Sequence, residues 1–236
     1  MQTTSVTPNL TQLTRLHFVN AFFVREDDGL TLVDTTMGGA ADALIAAARG
    51  AGGPIRRIAL THGHGDHVGS LDALRRRLGD GVQVLMPDLD ARILAGEKIV
   101  EGKLPGSWPT IETRPDVRLS PGDRVGSLEV VPSPGHSPGH VSFLDPRDGA
   151  LIAGDVFTAY GRVAVTSHFY LRFPFAYFPT WDRAKDLASA RALRALEPAL
   201  LVVGHGPAVR DPGAAMEAAI ARAERAGAPA AARAPG

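Results

Sequence analysis

Thr61-His62-Gly63-His64-Gly65-Asp66-His67 places three histidines and one aspartate within six residues. Neutral imidazole and carboxylate suit borderline divalent metals, zinc first, with manganese, iron or cobalt also accepted. Four ligands this close crowd a single tetrahedral ion. They divide better between two adjacent divalent ions, with further ligands arriving from elsewhere in the chain. Gly63 and Gly65 let the backbone bend tightly and approach the ions. A polar turn with accidental histidines would need four uncommon choices in register, so the metal reading is preferred.

The cluster follows directly on an apolar run at 55–60, and the arrangement recurs along the chain. Residues 30–33 end in Asp34, 128–131 run on to His136, 150–153 end by Asp155, and 199–203 end by His205. Ligands on loops at strand ends are held by a rigid sheet yet stay accessible. Helical patterns fall at 39–49, 68–78, 182–196 and 214–225, with a short helix near 88–95. In the second of these Leu71, Leu74 and Leu78 share one face and arginines take the other. Residues 14–24 and 30–33 read as a hairpin about Glu26-Asp27-Asp28-Gly29. With the strand pair at 141–153, this gives mixed strand pairing. Strands alternating with amphipathic helices imply an α/β arrangement with helices covering a sheet. One domain over 1–236 is expected, without repeat or linker, and with 1–13 and 227–236 loose.

The 236 residues are 44% hydrophobic and 21% charged, which supports a sizeable core. Formal net charge is zero, so the balance gives no general argument for nucleic acid, an anionic membrane or an acidic substrate. Cysteine is absent, which excludes disulfides, a thiolate nucleophile and cysteine-ligated metal. No apolar run reaches the length of a membrane span, and residues 1–13 do not read as a signal peptide. A soluble cytoplasmic protein with a small-molecule substrate is the expectation.

His62-x-His64-x-Asp66-His67, followed by His136, Asp155 and His205, resembles the metallo-β-lactamase superfamily of hydrolases, over about residues 16–205. The resemblance implies a four-layer αββα sandwich: two mixed sheets face to face, helices outside, metals at one sheet edge. It also implies that His62, His64 and His136 hold one ion and that Asp66, His67 and His205 hold the other. Asp155 would bridge them. Two dications against two carboxylates leave about two positive charges to stabilise a hydroxide and a developing oxyanion. The cysteine-free set with a bridging aspartate argues against a β-lactamase proper, and His64 stands where flavodiiron members carry glutamate. Hydroxyacylglutathione hydrolases share all seven ligands, but the 31 residues after His205 are too few for their helical C-terminal region. Lactone-hydrolysing members are closest in size and layout. They often place a tyrosine just after the bridging aspartate; here Tyr160 follows Asp155 by five residues, a looser match.

The expected reaction is hydrolysis of an ester, thioester or lactone by a metal-bound hydroxide. One ion polarises the carbonyl, assisted by Tyr160 or His168, and Asp66 passes the proton to the leaving group. A phosphodiesterase is one alternative. A mono-iron oxidoreductase like the persulfide dioxygenases of the same superfamily is another. Asp34 is expected to hydrogen-bond behind the ligands or to cap a strand, His140 to be packed or hydrogen-bonded, and His17 to lie in the core. Residues 157–181 hold nine of the fourteen aromatic residues. They read as a pocket wall or lid, or as a homodimer contact.

Overall fold

Long apolar runs in the strands are explained by sheets buried on both faces. In the strand Val19–Glu26, Phe22 and Val24 enter one core while Ala21 and Phe23 enter another. The same alternation separates Leu200 and Val202 from Leu201 and Val203. The computed structural model describes residues 1–227. The first sheet has seven strands in chain order: β1 (Gln2–Ser5), β2 (Leu10–Arg15), β3 (Val19–Glu26), β4 (Gly29–Val33), β5 (Ile55–Ala59), β6 (Gln83–Pro87) and β7 (Val117–Leu119). β1 to β4 pair antiparallel and β4 to β7 pair parallel. The second sheet contains β8 (Arg124–Val125), β9 (Leu128–Pro132), β10 (Val141–Asp145) and β11 (Ala150–Ile152). A separate small hairpin follows, β12 (Phe157–Thr158) with β13 (Ala164–Val165). β14 (Leu200–Val202) then pairs parallel with β11, and β15 (Val209–Arg210) closes the second sheet.

Three apolar layers hold the sandwich together. Between the sheets lie Phe22, Val24, Val33 and Leu85 from the first and Leu128, Phe143, Ile152 and Val202 from the second. Helices α1 (Ala41–Ala51), α2 (Gly65–Val68), α3 (Leu71–Leu78) and α4 (Asp88–Leu94) follow strands of the first sheet. Leu44, Leu71, Leu74 and Leu94 join its outer face. Helices α5 (Arg183–Ala195) and α6 (Gly213–Gly227) cover the second sheet through Ala190, Leu193, Met216 and Ile220. Burying one such side chain contributes about 1.5–3 kcal/mol before cavity effects. Asp182 caps α5 by accepting from the Ala184 and Lys185 amides. The observed architecture is the αββα sandwich that the sequence implied.

Four expectations are corrected. Residues 1–13 are not loose, because Gln2–Ser5 and most of Leu10–Arg15 extend the first sheet. β1 is exposed throughout and is held by its ladder to β2, Gln2 opposite Thr14, so its polar residues carry no apolar signal. Residues 14–24 are not one strand: Leu16 (φ 51°) and His17 (φ 66°) turn the chain between β2 and β3. His17 is therefore exposed and not in the core. The helix expected over 68–78 is divided at Gly69 and Ser70 into α2 and α3. The loose segment expected at 227–236 falls outside the described residues except for Gly227, which ends α6. Among the described residues no helix is long and apolar enough to cross a membrane.

Candidate metal centre

The histidine cluster leaves β5, His136 follows β9, Asp155 follows β11 and His205 follows β14. Parallel pairing of β4 with β5 and of β11 with β14 sets these C-terminal ends side by side. The recurrence seen along the chain is thus one edge of the sandwich in space. Two groups form there, each able to hold a metal ion. One is His62, His64 and His136; the other is Asp66, His67, Asp155 and His205. Within each group the candidate ligand atoms lie within 4.8 Å of one another. His205 Nε2 lies 3.1 Å from Asp155 Oδ2 and 3.3 Å from Asp66 Oδ2. His67 Nε2 lies 3.5 Å from Asp155 Oδ1, and His136 Nε2 lies 3.5 Å from Asp155 Oδ2. Asp155 therefore faces both groups.

Anchors behind the rings fix which nitrogen points inward. Asp34, at φ 61°, accepts from the Thr61 amide and hydroxyl, both at 2.8 Å. It also accepts from His67 Nδ1 at 2.8 Å. The Thr61 hydroxyl is thereby left to accept from His62 Nδ1 at 3.0 Å. His136 Nδ1 donates to Thr180 Oγ1 at 3.1 Å, because that hydroxyl itself donates to the Ala176 carbonyl. His205 Nδ1 donates to the Phe18 carbonyl at 2.8 Å. Four Nε2 atoms thus face the centre, the arrangement that orients imidazole ligands on a metal. His62 Nε2, His67 Nε2 and Asp155 Oδ1 are buried without a hydrogen-bond partner. Orphaned atoms of ligand type, gathered in these two groups, fit divalent cations. A side chain at position 204 would not fit, since its Cβ would lie 2.1 Å from Asp155 Oδ1.

The sequence did not reveal Asp90. It is fully buried on α4 and accepts from the Gly63 amide at 2.8 Å, the Gly139 amide at 2.7 Å and the Ser137 hydroxyl. One carboxylate thus clamps both histidine-bearing loops, and burial pushes it up to about 6. His140 is outside both ligand groups. Its Nε2 accepts from the Asp155 amide at 3.1 Å and its Nδ1 meets Ser133 Oγ at 2.9 Å, so it is a hydrogen-bonded support.

Electrostatics divides the rings in two. Burial holds His62 and His136 well below the ordinary imidazole range, and His64 at about 4. These three are neutral at pH 7, and His64 Nδ1 lies 3.1 Å from His136 Nε2. Burial alone would also lower His67 and His205, but Asp155 and the neighbouring carboxylates outweigh it and raise both, His205 to about 10. Burial would raise Asp155 and Asp66, yet His67 and His205 beside them hold both well below the carboxylate range. A cation entering this second group takes the place of protons.

A cavity of about 710 Å³ opens over the centre. His64, Asp66, His136, Asp155 and His205 reach it, and Phe18, Met37, Phe173, Phe175 and Phe178 form an apolar wall. Tyr160 and His168 do not reach it, which corrects their expected catalytic roles. The β12–β13 hairpin carries Tyr160 past the centre, where its hydroxyl donates to the His17 carbonyl at 2.9 Å. Phe173 lies between, 4.7 Å from the Tyr160 ring and 4.9 Å from the His205 ring. His168 lines a different cavity with Ser167, Arg183 and Arg191. The aromatic segment itself does wall the metal-facing cavity through its 173–179 part.

The family model of the metallo-beta-lactamase superfamily matches residues 14–205. The protein YobT of Bacillus subtilis (strain 168), itself uncharacterized, is 39% identical over 92% of this chain and 95% of its own. The probable metallo-hydrolase YybB of the same organism is 28% identical over 80% of each chain. Among solved structures, TTHA1623 in a di-iron-bound form is similar with a TM-score of 0.61 at 28% identity, over 86% of this chain and 94% of that one.

Proposed function

The chain belongs to the metallo-β-lactamase superfamily, and on that premise we propose that it is a dinuclear metal-dependent hydrolase acting on an ester, thioester or lactone. The observation that carries the reading is Asp155, whose Oδ1 lies 3.5 Å from His67 and whose Oδ2 lies 3.1 Å from His205 and 3.5 Å from His136, so that one carboxylate reaches both ligand groups. His62, His64 and His136 would hold one divalent cation. Asp66, His67 and His205 would hold the second, and Asp155 would serve both. Bound there, the cations supply a nucleophilic hydroxide near neutral pH and an electrophile for a carbonyl oxygen. The di-iron form of TTHA1623 supports two ions on this fold, and keeps iron beside zinc as a candidate.

The chain's own residues do the rest. Asp34, Thr61, Thr180 and the Phe18 carbonyl hold the imidazoles in the ligating tautomer, so little reorganises during reaction. Asp66 is the most accessible of the carboxylates, with its side chain 34% exposed beside the cavity. It accepts the proton released on attack and returns it to the leaving group. The Phe173, Phe175 and Phe178 wall excludes water and favours an apolar acyl or leaving group. The test is elemental analysis of protein purified without added metal, followed by a panel of esters, thioesters, lactones and phosphodiesters. Two ions per chain and turnover of carbonyl substrates support the reading. One ion with oxygen uptake, or turnover of phosphodiesters alone, overturns it.

A further inference from the structure

Exposed apolar residues are not scattered over this molecule. Of the ten large hydrophobic residues exposed among the described residues, seven stand on three segments around the metal-facing cavity. Leu16 and Phe18 are on the β2–β3 turn, and Met37 is on the loop after β4. The other four lie within ten residues of the aromatic segment: Leu171 is 81% exposed, Phe175 71%, Phe178 63% and Phe169 44%. Within the aromatic segment Phe169 lies 6.1 Å from Phe178, and Phe175 rests 5.6 Å from the buried Phe173. Phe18, Met37, Phe175 and Phe178 also line the cavity, so these four, from all three segments, stand at its mouth. An exposed apolar surface of this kind marks an interaction site.

The charges on the same segment indicate what covers it. Residues 157–185 contain Arg162, Arg172, Arg183 and Lys185 against one carboxylate, Asp182, in a chain of zero net charge. Three of these cations rest on aromatic faces. Arg162 lies 4.5 Å over Tyr170, Arg183 4.0 Å over Tyr177 and Lys185 4.5 Å over Trp181. Tyrosine and tryptophan with arginine and lysine at their faces, around protruding phenylalanine and leucine, suit the boundary between lipid headgroups and acyl chains. A second copy of the chain across a two-fold axis would set these cations against their own equivalents. An anionic lipid surface accommodates both the rings and the cations. We propose that the mouth of the cavity docks on an anionic lipid surface, with Leu171, Phe175 and Phe178 entering the acyl boundary and the arginines meeting headgroup phosphates. Docking would open the cavity toward the apolar phase. It does not depend on the hydrolase reading.

Sedimentation of the metal-loaded protein with phosphatidylcholine vesicles, with and without phosphatidylglycerol, tests the proposal. The protein should sediment with the anionic vesicles, more weakly with the zwitterionic ones, and less as salt rises. Leu171→Ser combined with Phe169→Ser should abolish retention. Both side chains lie outside the metal-facing cavity, so metal content should stay unchanged. Arg172→Glu should weaken retention at least about fivefold, the change expected for one cation near such a surface. Absence of retention, or retention untouched by these variants, overturns the proposal. So does a wild-type dimer on a sizing column that Leu171→Ser converts to monomer, because the patch is then a contact between copies.

Discussion

The strand-end loops and the aromatic segment border the same cavity and are built in opposite ways. Each loop ligand except Asp66 is buried, and the rings of His62, His67, His136 and His205 are each tied from behind by a hydrogen bond. The segment is also hydrogen-bonded along its backbone, but it exposes Phe169, Leu171, Phe175 and Phe178, and the rings of Phe169, Phe175 and Phe178 meet their neighbours through ring-to-ring contacts. Directional bonds fix the reacting groups, whereas contacts of little directionality leave the recognition surface free to vary. The contrast predicts large, all-or-none effects on one side of the cavity and graded ones on the other.

The largest effect is expected at Asp155. Asp155→Ala should lose metal and activity together, read by elemental analysis and turnover. Two retained ions with near-normal turnover would break the contrast at its centre. Next is Asp34→Ala, which leaves Thr61 and the His67 ring without their acceptor. Metal affinity or activity should fall roughly 10–100-fold. An equal loss of stability in metal-free protein, with affinity unchanged, would show that Asp34 only caps its strand.

Asp186 gives a smaller, pH-dependent effect. It is fully buried under the segment, and burial pushes it up to about 8. Such a carboxyl, at 3.8 when unfolded, contributes stability below that value, and the contribution is lost as pH rises through about 8. Asp186→Asn should flatten this decline in denaturant titrations at pH 5, 7 and 9. An unchanged slope would mean that Asp186 stays ionised in the fold. The smallest effect is expected at Phe175, whose ring is 71% exposed. Phe175→Ala should change stability by no more than about 0.5 kcal/mol. Preference among acyl chain lengths should shift while metal content holds. A large drop in melting temperature would show that the segment is as firmly built as the loops.

The candidate metal-binding edge was legible because its residues follow the ends of four apolar runs, a pattern contained within a few residues each. Asp90 was not legible. Its partners Gly63, Ser137 and Gly139 lie 27, 47 and 49 residues away, and on a short helix it looks like one more solvated carboxylate. Thr180 is similarly remote from His136. Tyr160 and His168 were misplaced because the path of a loop between fixed flanks depends on tertiary contacts. A five-residue offset from Asp155 does not reveal that Phe173 comes between Tyr160 and His205. The first two strands were missed because β1 is exposed and polar, and pairing alone holds it.

The two layers of the sandwich contribute different parts of the metal centre. His62, His64, Asp66 and His67 follow β5 in the first sheet, while His136, Asp155 and His205 follow β9, β11 and β14 in the second. Apart from polar links at their edges, the layers meet through side-chain packing, which resists separation more than sliding. Cations shared across that seam would act as a bolt against shear. Chelation should then loosen the register of one sheet over the other, with amide exchange rising along β9, β10 and β11 before either sheet loses its own ladder.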